Sequence, residues 1–304
     1  AEALAQSTVD ATRVRVVALV GTGLRELAEV EAYGLGGGRI ARHTLHFGDA
    51  VRAAVPGVAE VVTISNACSA SGHALALAQD LVESGGADAV VVAGTDTMTA
   101  SMLAMIGRVV DTPTDRVRPF DARRTGVLLG DGAAAAVVVP AGRAGPRLAT
   151  LLATGLSCDA RHETAPDVEG ITRAVHDAYH RAQRSPAGAA LVVAHGTGTA
   201  LNDPAECRAL AGTVLAAGGN PRVTAVKGAL GHTSGAAALV NLDVALRCLR
   251  AAVVPPVVGL DEVLPEGVGL DFVRGAPVPW TPGLAQLNAF GFGGVNAVTL
   301  VEPA

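Results

Sequence analysis

Lysine is all but missing from this chain: of 23 basic residues only Lys227 is a lysine, and the rest are arginines. Where arginine fills every other basic position, a retained ammonium points to a place that a planar guanidinium does not fit, because the ammonium is a compact charge whose pKa shifts readily on burial. A lysine left by chance on the surface is the plainer reading of the same fact. Charge of either sign is scarce, at 17% of residues against 50% apolar. The net charge is −5 and no basic block or aromatic-basic stripe occurs, which argues against nucleic-acid binding. No apolar run approaches the roughly 18 residues needed to cross a bilayer. The apolar residues therefore imply a large buried core and no membrane span. The four cysteines, Cys68, Cys158, Cys207 and Cys248, include no C-x-x-C pair, so neither the usual zinc patterns nor a disulfide framework is expected. No charged segment followed by an apolar one opens the chain, and a reducing cytoplasm is the expected compartment.

What is present is a rhythm of short valine-rich bursts and longer alanine-rich stretches. Strands are expected at Arg15–Val20, Glu60–Ser65, Ala87–Ala93, Ala133–Val139, Ala190–Ala194, Val223–Val226 and Ala297–Val301. Helices are expected at Gly72–Val82, Val168–Ala182, Pro204–Ala217 and Gly235–Leu249, which makes an α/β fold with sheets covered on both faces. The helices from Gly72 and Gly235 are apolar nearly all round and belong between layers. Each follows a strand and a reactive residue, Cys68 in one case and His232 in the other. That suggests an internal duplication with the reactive residues at equivalent turns. The loops 140–146 and 186–188 read as ordinary connections and not as domain linkers.

Cys68 ends the segment Thr63-Ile64-Ser65-Asn66-Ala67-Cys68. A thiol at a strand-to-helix turn sits at the positive end of the helix dipole, which favours thiolate. On that ground Cys68 is expected to be the fastest-reacting of the four cysteines. His195 opens His195-Gly196-Thr197-Gly198-Thr199 at a strand end, and His232 lies in Lys227-Gly228-Ala229-Leu230-Gly231-His232. The loop Asn288-Ala289-Phe290-Gly291-Phe292-Gly293-Gly294-Val295-Asn296 is rich in glycine, which permits close backbone approach and can aim N–H groups at a developing oxyanion. No G-x-G-x-x-G or P-loop pattern precedes a helix, so phosphate cradling is not indicated. Taken singly, each feature has a plainer reading: a cysteine packed as a small apolar residue, or a histidine satisfied in the core or at the surface. The company they keep separates Cys68, His195 and His232 from the other cysteines and histidines.

These segments, in this order, resemble the β-ketoacyl synthase family, as do Arg118-Pro119-Phe120-Asp121 and Gly130-Asp131-Gly132-Ala133. The resemblance runs from about Val14 to the C-terminus. It implies a thiolase-like fold of two duplicated halves in α-β-α-β-α layers. The chain would be a single catalytic domain, 1–304, with an N-terminal half of about 1–145 carrying the cysteine and a C-terminal half of about 146–304 carrying both histidines. It implies Cys68 as the acyl-accepting nucleophile. His195 and His232 would assist decarboxylation and stabilise the enolate and oxyanions. Lys227 would hold the histidine network, with Asp131 as its acidic partner. Thr197 and Thr199 would bond the phosphopantetheine arm. Phe292 would be the gate beside the nucleophile, its N–H forming an oxyanion hole with that of Cys68. Arg118, Arg123 and Arg124 are the arginines best placed to dock an acyl carrier protein. The resemblance further implies no bound cofactor or metal, substrates carried on phosphopantetheine of a carrier protein or on coenzyme A, and a dimer of identical chains or with a related subunit.

A second histidine stands where initiating members of the family carry asparagine, which points to the elongating kind. The absence of a second cysteine near the C-terminal glycine-rich loop distinguishes the chain from thiolases. The expected reaction is decarboxylative Claisen condensation. Two alternatives stand beside it: an acyltransferase that passes the Cys68 acyl group to an alcohol or amine, and a non-catalytic chain-length subunit, which would lack the cysteine. The segment Glu26–Gly57 is shorter than in the family, where it builds dimer contacts and acyl-pocket walls. Asn66 and Ala289 stand where threonine and serine are common.

Overall fold

Strand β1 (Val16–Thr22) is buried along its whole length, which requires a sheet covered on both faces. In the computed structural model, which describes residues 1–24, 26–108, 113–143 and 145–304, β1 runs parallel to β2 (Glu60–Ser65) on one side and β3 (Ala89–Asp96) on the other. Antiparallel pairing of β3 with β4 (Gly132–Val138) completes a sheet of order β2-β1-β3-β4. The remainder of the chain supplies β5 (Thr150–Cys158), β6 (Ala189–Val193), β7 (Arg222–Thr224), β8 (Val253–Val254), β9 (Asp271–Phe272), β10 (Val278–Pro279), β11 (Leu284–Gly291) and β12 (Val295–Glu302). A second sheet has the order β5-β12-β11-β6-β7-β9, and β8 pairs with β10 in a short ribbon. Strands β7-β6-β11-β12 repeat the two parallel pairings and the final antiparallel one of β2-β1-β3-β4. The duplication expected from the sequence is therefore present in the topology.

The layers follow from strand alternation. Val17, Leu19, Val90 and Val92 of the first sheet and Leu191, Val193, Ala285 and Leu287 of the second point at each other across Leu75, Ala78, Leu239, Leu242 and Ala245. These last residues lie on the helices Ala70–Glu83 and Ala237–Ala251, which form the middle layer. The opposite face of the first sheet packs Val16, Ala18, Ala89 and Val91 against Leu4, Val55 and Val58. The opposite face of the second packs Val192, Val298 and Leu300 against Ile171, Val175 and Leu210 of the helices Val168–Arg181 and Asn202–Leu210. The result is α-β-α-β-α. Among the described residues, no helix is long and apolar enough to cross a membrane.

The elbows into the two middle helices correspond closely. Ala67 has φ +48° and Ser234 φ +47°, and each begins a single 3₁₀ turn, Ala67–Ser69 and Ser234–Ala236. By this match Cys68 is equivalent to Gly235, and His232 lies three residues earlier. The expectation that Cys68 and His232 occupy equivalent turns is corrected: the second half has glycine at the position of Cys68. Asp96 ties the halves together here, accepting Thr22 Oγ1 and Gly23 N at 2.7 Å each and Gly235 N.

The expected strands and helices all appear, shifted by a few residues at their ends. The helix from Pro204 is the exception of substance: its α-helical part is Asn202–Leu210, followed by a π turn at Ala211–Leu215. The sequence reading omitted the short helices Glu2–Ser7, Leu27–Gly34, Gly48–Ala54 and Ala100–Gly107 and strands β5 and β11. Of the expected loop 140–146, Ala144 lies outside the described residues.

Close approach of the layers depends on glycine at two points. A Cβ on Gly21 of β1 would stand 2.6 Å from Ser71 N, and one on Gly94 of β3 would stand 2.8 Å from Ala236 Cα. Both contacts are to backbone, so no rotamer change relieves them. Gly21→Ala is expected to cost about 1–3 kcal/mol of stability through overpacking. A denaturant midpoint unchanged from wild type would show that the layers have more slack than this.

Candidate active site

The turn at Ala67–Ser69 lifts Cys68 out of the sheet and into a cavity of about 380 Å³ that His195, His232, Thr197, Thr199 and Phe292 also line. The remaining walls divide by chemistry. Arg124, Asn202, Thr197 and Thr199 are its polar members, and Leu24, Met102, Met105, Ile106, Val127 and Leu129 are its apolar ones. The backbone N–H groups of Phe292 and of Cys68 itself are near enough to the Cys68 thiol to lower its pKa, and amides so placed can serve an oxyanion formed beside the sulfur.

His195 emerges two residues beyond β6, and its segment is shaped by two carboxylates. Glu206 accepts His195 N at 2.8 Å and Gly196 N at 2.9 Å. Asp203 accepts Thr197 N at 3.0 Å, Gly198 N at 3.1 Å and Phe120 N at 2.7 Å. Glycine suits the bends: Gly196 and Gly198 have φ of +46° and +72°. Asn202 and Asn288 each give an Nδ2–H to Glu206. Both acids are wholly buried, and burial raises their pKa values while these N–H donors oppose the rise.

Lys227 is buried too, with 2% of its surface exposed. Its Nζ donates to the His195 carbonyl and lies 3.4 Å from His195 Nδ1. An ammonium has no lone pair to offer, so His195 Nδ1 is the acceptor and the proton sits on Nε2. Burial lowers the Lys227 pKa to about 8, and Glu206, then Cys68 and Asp203, pull it back up. The imidazoles of His195 and His232 stack edge to face, with centroids 5.4 Å apart. Burial, helped by the nearby Lys227 cation, drives both histidines well below their usual value. They are neutral N–H donors, not cations. His232 is fixed by its backbone: its N–H donates to Leu128 O at 2.8 Å and its carbonyl accepts Gly130 N at 3.0 Å. Among the described residues its buried Nδ1 has no hydrogen-bond partner.

Several expected positions are corrected. Asp131 does not partner Lys227: it is exposed and accepts Met98 N, while Glu206 is the acid with the largest charge effect on Lys227. The Gly130-Asp131-Gly132 segment instead clamps the His232 backbone. Thr197 and Thr199 do line the cavity, with hydroxyls 2.9 Å apart. The docking arginines are largely engaged within the chain. Arg118 pairs with Asp115, Arg123 pairs with Asp261 and Asp121, and Arg124 donates to the carbonyls of Asp121, Thr199 and Ala200. Of the three, Arg124 alone lines the cavity.

For Cys68 the expected thiolate is opposed by desolvation, which pushes the thiol up to about 11 against the pull of Lys227 and the two backbone N–H groups. Sequence reasoning missed Asp203 and Glu206. Their signal was two acids three residues apart, beginning eight residues beyond His195, in a stretch otherwise suited to burial.

Comparison with known proteins gives the family. Residues 56–144 match the family model "Beta-ketoacyl synthase, N-terminal domain" and residues 148–261 match "Beta-ketoacyl synthase, C-terminal domain". The chain is similar to 3-oxoacyl-[acyl-carrier-protein] synthase 2 of Mycobacterium tuberculosis, at 35% identity over 257 residues, 78% of this chain and 60% of that protein. It is similar to Nodulation protein E of Rhizobium meliloti at 33% over 243 residues, 78% of this chain and 60% of that protein. The chain thus spans about 60% of the length of these relatives. Among solved structures, the ishigamide ketosynthase/chain length factor aligns with a TM-score of 0.86 at 30% identity, covering 95% of this chain and 75% of that one. A beta-ketoacyl synthase from Burkholderia phymatum STM815 shares the fold, with a TM-score of 0.88 at 24% identity over 96% of this chain and 76% of that one.

Because desolvation pushes the Cys68 thiol up to about 11, its alkylation by iodoacetamide is expected to rise about tenfold per pH unit between pH 7 and 9. The exposed Cys158 is expected to label faster than Cys68 at pH 7.5. Peptide mapping checks both, and a pH-independent, dominant rate at Cys68 would contradict so high a thiol pKa.

Proposed function

We propose, from the premise that this chain belongs to the β-ketoacyl synthase family, that it is an acyltransferase of the condensing type. It joins an acyl group held on Cys68 to a malonyl-type thioester borne by an acyl carrier protein, in fatty-acid- or polyketide-like biosynthesis. The observation that carries this reading is the meeting of Cys68, His195 and His232 in one cavity that Phe292 also lines.

In the first half-reaction the Cys68 sulfur attacks the acyl thioester. The new S–C bond forms as the carrier's S–C bond breaks, and the Cys68 proton leaves on the carrier thiol. The N–H groups of Cys68 and Phe292 hold the tetrahedral oxyanion. In the second, the malonyl C–CO₂ bond breaks and its electron pair passes into an enolate. The Nε2–H of His195 and an N–H of His232 donate to that oxygen, and neutral imidazoles suit this because each has a proton to share. The enolate carbon attacks the Cys68 thioester, carbon dioxide departs, and the Cys68 thiolate is expelled and reprotonated. Lys227 serves as a positioning charge: it fixes the His195 tautomer and steadies the thiolate. Thr197 and Thr199 face the pantetheine arm, and Arg124 is the docking cation nearest the cavity.

A dimer accompanies this reading. β2 lies at the edge of its sheet and carries the β-branched run Val61-Val62-Thr63-Ile64, and an edge of that kind calls for a partner strand. The similarity to a ketosynthase/chain length factor supports a related subunit as well as a second copy. The alternative of acyl transfer to an alcohol or amine requires no malonate, so carbon dioxide release separates the two.

His195→Ala is expected to accept acyl groups on Cys68 but to release carbon dioxide from malonyl thioester at least about 100-fold more slowly. Condensation near the wild-type rate would contradict the role given to His195. Condensation is also expected to fall as pH rises past about 8, where Lys227 loses its proton. Lys227→Arg, whose planar fork does not fit a fully buried ammonium site, is expected to lose about 100-fold in turnover. A pH–rate profile without that alkaline limb, or a Lys227→Arg enzyme of normal rate, would remove Lys227 from the mechanism. Light scattering is expected to give a dimer mass at micromolar concentration, and a monomer would contradict the edge-strand argument.

A further inference from the structure

Met102, Met105 and Ile106 of the helix Ala100–Gly107 supply much of the apolar lining of the cavity. Packing holds this helix weakly: Met102 is its only buried residue, and Leu103 on the outer side is 54% exposed. Its position therefore depends on how its first turn is tied down. Thr99 Oγ1 accepts Met102 N at 3.3 Å. The two preceding amides go elsewhere: Ser101 N donates to Glu31 Oε1 at 2.6 Å and Ala100 N to Glu31 Oε2 at 3.3 Å. These bonds, Ser101 foremost, hold the Glu31 carboxyl below its usual range. Glu31 stands on the helix Leu27–Gly34, which buries none of its own residues. That helix follows Leu24, itself a wall of the cavity, and Gly23, which Asp96 anchors. A carboxylate on one surface helix is thus the polar link to the wall of another.

We infer that Glu31 is a positioning residue for acyl-chain selectivity: by pinning the first turn of the helix Ala100–Gly107, it fixes the apolar lining of the cavity. The inference rests on the reading of Cys68 as the acyl carrier. Glu31 touches no reacting atom. Its removal leaves Cys68, the histidines and the N–H groups in place and frees only the wall. The wall then yields to long chains, while short chains, which do not reach Met105 and Ile106, are indifferent to it.

The test compares wild type, Glu31→Ala and Glu31→Gln, measuring Cys68 acylation by intact-protein mass with butyryl and palmitoyl thioesters. In Glu31→Ala the palmitoyl-to-butyryl rate ratio is expected to rise about fivefold or more. Butyryl loading and Cys68 alkylation by iodoacetamide are expected to stay within about twofold of wild type, which shows the rest of the site intact. Glu31→Gln keeps an acceptor oxygen at the same reach and is expected to lie close to wild type. Amide exchange at Ala100 and Ser101 is expected to quicken by about tenfold in Glu31→Ala alone. A ratio within twofold of wild type in Glu31→Ala, or equal loss with both thioesters, overturns the inference while leaving Cys68 as acyl carrier intact. Wild-type protein that takes no acyl group from either thioester overturns both.

Discussion

Two carboxylates with no solvent around them, Asp203 and Glu206, hold the active site in shape. Between them they accept the backbone N–H groups of His195, Gly196, Thr197, Gly198 and Phe120. A buried carboxylate left short of donors is costly, and one with several charge-assisted hydrogen bonds is rigid. The chain therefore has one economical path through residues 195–198, and that path sets the His195 ring against His232 and beneath Lys227. Burial drives both imidazoles toward the neutral form, and the Lys227 cation, drawn chiefly to Glu206, adds to that effect. Remove either acid and the segment loses its template, not merely a contact.

The duplicated fold explains why the parts meet. Each half sends a strand into a sharp turn and then into a middle helix, so the two elbows arrive side by side between the sheets. One elbow carries Cys68 and the other Gly235, and Asp96 joins them through Gly23 and Gly235. The missing side chain at Gly235 is required, since a Cβ there would stand 2.4 Å from Thr22 Cα. Glycine at this elbow thus lets the second half pass directly against the end of β1. His232, three residues upstream, is delivered by its pairing with Leu128 and Gly130.

Much of this was legible in the residue order. Valine bursts marked the strands whose two faces are both apolar, and a Ser-Gly pair after Cys68 and after His232, with the Gly-Thr run after His195, marked the turns. The solitary lysine was legible because composition singled it out. Other features had no such mark. β11 reads poorly as a strand because Gln286 and Asn288 interrupt its apolar run, and only the fold shows them bonded to Tyr179, Glu206 and each other. The short surface helices at 27–34 and 100–107 bury too little to leave a periodic signature. Asp131 was assigned from local likeness, whereas partnership with Lys227 is decided by tertiary distance. The desolvation that raises the Cys68 thiol is hidden for a related reason: a helix start is visible in sequence, but the surroundings of the sulfur are not.

The central claim is that Cys68 carries an acyl group which a malonyl-derived carbanion then removes. Intact-protein mass resolves this in one series: protein alone, protein with an acyl thioester, and acylated protein after addition of malonyl carrier. The account predicts a mass gain equal to one acyl group, located on Cys68, and its loss on adding malonyl carrier as the carrier gains the acyl group and loses carbon dioxide. An adduct that forms elsewhere in the chain, or one on Cys68 that malonyl carrier leaves untouched, would contradict it.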